Sequence, residues 1–101
     1  MFDKTSRRYM TKAIAEELHP EITKHLWHLI DERNEQGEEL DYLQVFELGV
    51  EKGKQLILHR QEQPPYRKKW LTELKHTSPI ISTIWCIDEG QSEIMLYPSD
   101  Y

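Results

Sequence analysis

The chain predicts an α+β domain in which one main helix packs on a mostly antiparallel sheet of four or five strands. Three observations carry that prediction. Residues 20–37 run from a proline to a glycine with Ile22, Leu26, Leu29, Ile30 and Arg33 at helical spacing. Residues 42–61 read as two alternating segments joined at "EKGK", and "IISTIWCID" with "SEIMLYP" reads as a second such pair joined at "DEGQ". One period-3.6 segment beside several period-2 segments is the pattern of a helical layer on a sheet.

The elements follow in order. Arg8 to Leu18 is read as an extended segment, although "AIAEEL" also suits the start of a helix. Pro20 belongs in a first helical turn, where its missing N–H costs nothing, and Gly37 is a natural C-terminal stop. In "LDYLQVFELGV" alternation places Tyr42, Gln44, Phe46, Leu48 and Val50 on one face and Leu43, Val45 and Glu47 on the other. Gly53 supplies the positive φ of a turn, so residues 42–61 form a β-hairpin. Pro64 and Pro65 lack backbone donors and end the second strand by Gln63. Beyond them Tyr66, Trp70, Leu71 and Leu74 are spaced to form one face of a short helix. "HTSP" breaks the chain before the second hairpin, whose register the sequence leaves open because two-residue and glycine-bulge loops pair different faces.

Composition bounds the function. The 101 residues, 38% apolar and 10% aromatic, suffice for one domain spanning 1–101 with a single core. A formal net charge of -5 gives no general attraction for phosphate backbones or anionic lipid, so nucleic acid is not an expected partner. No apolar run approaches the roughly 20 residues of a membrane helix, and no leader pattern is seen, so a cytoplasmic location without membrane contact is expected. Cys86 is the only cysteine, which rules out a disulfide or a cysteine zinc site within one chain and reads as a buried, inert thiol.

The chemistry-bearing stretch is "HRQEQPPYRKKW", residues 59–70. His59, Arg60, Glu62, Tyr66, Arg67, Lys68 and Trp70 are its candidate binding residues, on a polar loop that proline stiffens and aromatics equip for contact. A hydrolase or nuclease-like enzyme using His59 with Arg60 or Glu62 is the alternative, but strand alternation puts Arg60 and Glu62 on one face and His59 on the other. An Arg60/Glu62 neighbour pair on a solvated face is the plainer reading. His25 and His28, flanked by Glu21 and Glu32, have metal-ligand spacing without a complete ligand set, so no metal and no cofactor are expected. Trp27, Trp70 and Trp85 are read as packing rather than as ligand platforms.

Charge is polarised along the chain. Residues 16–41 carry Glu16, Glu17, Glu21, Asp31, Glu32, Glu35, Glu38, Glu39 and Asp41 against Lys24 and Arg33, whereas residues 52–76 carry Lys52, Lys54, Arg60, Arg67, Lys68, Lys69 and Lys75 against Glu62 and Glu73. Such fields orient encounters with a protein partner or a second copy. The segments "YMTKAIAEEL", "LDYLQVFEL", "HRQEQPPY" and "IDEGQSEIMLYPSDY" resemble a family of small proteins from Gram-positive bacteria catalogued only as a domain of unknown function. The resemblance spans nearly the whole chain and implies a bacterial protein, with no catalytic residue or cofactor to carry over. A non-enzymatic interaction or regulatory module docking through residues 59–70 is the expected function.

Overall fold

The computed structural model describes residues 2, 3 and 5–101. Along the chain lie β1 (Arg7–Met10), α1 (Lys12–Glu17), α2 (Pro20–Glu35), β2 (Leu43–Glu51), β3 (Lys54–Gln61), β4 (Tyr66–Thr72), β5 (Ser82–Asp88) and β6 (Ser92–Leu96), followed by a 3-10 turn at Pro98–Asp100. The protein is α+β, and the six strands form one sheet in the order β1-β6-β5-β2-β3-β4. Every neighbouring pair is antiparallel except β1 with β6, which is parallel, so the sheet is mixed.

The sheet has one strand more than the upper count expected, and two elements differ from their predicted form. Arg8 to Leu18 is not one extended segment: strand ends at Met10, and Thr11 turns the chain into α1 by accepting a hydrogen bond from Ile14 N at 3.3 Å. Residues 66–74 are not a helix either. Tyr66 to Thr72 pair antiparallel with Gln61 to Gln55, because the diproline turn brings the chain back beside β3, where seven residues satisfy their backbone groups on one rim.

Local signals fix the remaining elements. Pro20 sits in the first turn of α2, and Glu38 N and Gly37 N close its last turn on Arg33 O and Asn34 O, both at 3.1 Å, with Gly37 at φ 76°. Lys52 and Gly53 both take positive φ, the two-residue turn whose twist suits a hairpin. The C-terminal hairpin adopts the register Asp88↔Glu93 to Trp85↔Leu96.

Both helices cover one face. Ile14, Leu18, Ile22, Leu26, Leu29 and Ile30 pack with Phe46, Leu48, Ile57, Ile84, Cys86 and Met95 in one core, each large side chain contributing about 1.5–3 kcal/mol by leaving water. Phe2, whose burial no local pattern predicts, is fully buried in the same core. Its carbonyl accepts from Asn34 Nδ2 at 2.8 Å. Trp27 lies in this core and Trp70 packs on its margin, whereas Trp85 does not belong to it: it faces the opposite side, against the Tyr101 ring at 5.8 Å. Cys86 is buried, and burial pushes its thiol well above the usual range.

Candidate functional site

Alternation along the paired strands β3 and β4 decides where the residues of 59–70 point. On the helix-covered face lie His59 opposite Lys68, Gln61 opposite Tyr66, and Ile57 opposite Trp70. On the far face lie Arg60 opposite Arg67, Leu58 opposite Lys69, and Leu56 opposite Leu71. The run therefore supplies two strands and a turn rather than a single loop.

His59 is fully buried. It stacks on Phe46 with ring centres 4.4 Å apart and takes the edge of Tyr66 at 5.3 Å. Gln44 Nε2 already donates to Asp41 O at 2.9 Å and Gln61 Oε1 at 2.8 Å, so Gln44 Oε1 faces His59 Nε2 at 2.7 Å and that nitrogen carries the proton. Burial first, and the Arg33 charge second, hold the imidazole down at about 3, so it is neutral at ordinary pH. Arg60 points away from it and meets Glu47 at 3.3 Å, and Glu62 is exposed in the turn. The three groups of the hydrolase alternative do not converge, and the Arg60/Glu62 pair gives way to a contact across strands.

Gln61 is the hub beneath the turn. Its carbonyl accepts from Gln44, from Asp41 N at 3.2 Å and from Arg33 Nη1 at 3.4 Å, while its amide donates to Glu39 O at 3.1 Å and Pro64 O at 2.7 Å. The Arg33 guanidinium lies 3.4 Å from the Tyr66 ring centre, so Tyr66 is held between a cation and an imidazole. Asp41 ties the turn by accepting from Gln63 N at 3.1 Å, and the Gln63–Pro64 bond is cis. At the far end of β4, Glu21 in the first turn of α2 accepts from Lys75 N and His76 N, both at 2.8 Å, bonds that draw its carboxyl below the usual range.

On this fixed frame β4 is an edge strand, paired on one side only. Arg67, Lys68, Lys69 and Leu71 are exposed. Lys69 reaches Glu51 at 3.2 Å and Lys68 lies 4.2 Å from the Trp70 ring centre. An open hollow of about 360 Å³ lies at the turn, lined by Arg60, Gln61, Pro65, Tyr66 and Arg67. Behind the edge, the far face continues as Val45, Ile87 and Leu96, buried yet outside the main core. Lys69, Leu71 and the hollow join the surface that sequence reading defined; the signal for Leu71 was the period-2 pattern it shares with Arg67 and Lys69.

On α2, His28 meets Glu32 at 3.7 Å, and among the described residues no three of His, Cys, Asp and Glu are grouped so that they could hold a metal ion. No helix of the described residues is long and apolar enough to cross a membrane.

Residues 7–100 match the family described as a staphylococcal protein of unknown function, DUF960. The chain belongs to that family. It is also similar to a solved structure, the protein of unknown function from Enterococcus faecalis, at 25% identity and a TM-score of 0.86, over 99% of this chain and 94% of that one. No curated protein matches. An uncharacterised family of small Gram-positive bacterial proteins is thus where fold and sequence place this chain.

Proposed function

We propose that the protein is a cytoplasmic, non-enzymatic interaction module whose docking element is the β3–β4 hairpin. The observation that carries this reading is the β4 edge: seven residues with one unpaired rim, three exposed cations at Arg67, Lys68 and Lys69, and an exposed Leu71 at 43%. Trp70 and Tyr66 support the edge from the helix side, Arg60 and Glu62 border it, and His59 acts from beneath as a buried prop. The hydrogen-bonded frame under the turn supports preorganised docking, since little ordering remains to oppose binding.

A benzophenone side chain placed at Leu71, and for comparison at Tyr101, tests the reading by irradiation in the native cytosol. Tyr101 is the more exposed of the two, at 80%, and lies across the sheet beside Trp85. A discrete adduct from position 71 and none from position 101 is expected; adducts from 101 alone, or from neither, contradict it.

A further inference from the structure

We infer that the partner's segment binds β4 as an added, acidic β-strand. The inference rests on the interaction-module reading and names its partner chemistry. All seven residues of β4 are in register with β3, so alternate N–H and C=O groups on the outer rim point away from the sheet at the spacing a further strand would match. Main-chain pairing alone would accept any extended segment. The side chains narrow the choice, because Arg67 and Lys69 stand on one face and Lys68 on the other. An incoming strand meets cations on both its faces at three consecutive positions, and only consecutive acids answer them.

Lysines on edge strands ordinarily block edge-to-edge pairing, and here they do so for copies of this chain. Two β4 edges paired about a two-fold axis at Lys68 would set Arg67, Lys68 and Lys69 against the same cations. Pairing β4 with the β1 edge of another copy would add Arg7, also a cation. The same charges admit an acidic strand. Leu71, beside Leu56 on the far face, gives the antiparallel occupant an apolar residue two positions before its first acid. Lys69's present partner, Glu51 on β2, is a part-exposed acid that an incoming carboxylate can displace at little cost.

The probe is the end-blocked peptide Thr-Val-Thr-Glu-Glu-Glu-Thr, which sets Val opposite Leu71 and the three acids opposite Lys69, Lys68 and Arg67. It is titrated into the full chain labelled with ¹⁵N. Strand addition should shift amides within 66–72 and slow hydrogen exchange at alternate positions there. Replacing Glu by Lys in the peptide should weaken binding about tenfold or more, as expected from three exposed pairs of up to ~1 kcal/mol each. N-methylation along the pairing rim should abolish it. Shifts at the cations without amide protection overturn strand addition while leaving the docking surface in place. Absence of binding at millimolar peptide, or preference for a single-stranded oligothymidylate, also overturns the inference, whereas loss of the position-71 adduct overturns the docking reading itself.

Discussion

The two edges of the sheet use cationic side chains in opposite ways. At β1, four residues long, Arg8 turns under the helix layer, donating to Glu93 Oε1 at 2.8 Å and to both Asp31 oxygens, with its guanidinium 4.5 Å from the Trp27 ring centre. Thr11 begins α1 directly after the strand, and Phe2 anchors the segment before it. At β4, seven residues long, the cations stay outside and the buried support is uncharged apart from Arg33: His59, Gln44 and Gln61. A cation enclosed by carboxylates cannot be removed without stranding a buried charge, whereas cations over a neutral frame leave an edge free for contact. Removing a cation should therefore cost most stability at β1, whereas the docking proposed for β4 should depend on cations whose removal costs little.

Arg8→Leu should have the largest effect, because it leaves Glu93, fully buried, without its counter-ion. A loss of about 2–4 kcal/mol is expected in urea unfolding, slightly below the range for a wholly buried pair because Asp31 keeps contact with water. Arg8→Leu with Glu93→Leu should recover part of that loss. A loss below about 1 kcal/mol for the single change would erase the distinction between the edges.

Acid should then separate the two ends by sign. His59 titrates near 6.5 when unfolded but is held at about 3 in the fold, so between those values the unfolded chain binds a proton the folded chain does not. Stability from this site is present above the unfolded value and lost as pH falls, with a slope of up to about 1.4 kcal/mol per pH unit. Glu93 acts oppositely: burial raises its pKa despite the opposing hydrogen bond from Arg8, so the folded chain takes up the proton first and its contribution falls as pH rises through the carboxylate range. His59→Gln should flatten the loss between pH 6 and about 4, and Glu93→Gln should steepen the net acid loss by removing its opposing term. Urea midpoints for the three proteins across pH check both signs.

Gln61→Leu follows, at about 1–3 kcal/mol, since it strands Gln44 and Asp41 N of the frame under the turn. The smallest effect on stability belongs to Arg67→Glu with Lys69→Glu, less than about 1 kcal/mol by thermal unfolding because both cations are exposed and Lys69's pair with Glu51 lies at the surface.

The long helix and the first hairpin were legible because their signals are local: Pro20 and Gly37 bound one, and Gly53 with strict alternation sets the other. Edge strands were the harder part. Tyr66, Trp70 and Leu74 recur every four residues, a spacing that fits both a 3.6 period and a 2 period, and only pairing with β3 decides between them. In 7–18 a four-residue strand and a six-residue helix follow each other with only Thr11 between; each is too short for its period to register. Parallel pairing of β1 with β6 joins residues about 85 apart, as Arg8 with Glu93, which no local pattern reports. Alternation did place His59 opposite in face to Arg60, but its full burial depends on Phe46, Gln44 and Tyr66 closing around it.

The most direct test of the contrast reverses charge at each edge in turn. Arg67→Glu with Lys69→Glu alters β4, Arg7→Glu alters β1, and the partner adducts formed from the Leu71 benzophenone position are counted in native cytosol against the parent protein at equal folded concentration. The β4 change should abolish or strongly reduce the adducts at nearly unchanged melting temperature, and the β1 change should leave them intact. Adducts that survive the β4 reversal and vanish with the β1 reversal would contradict the contrast.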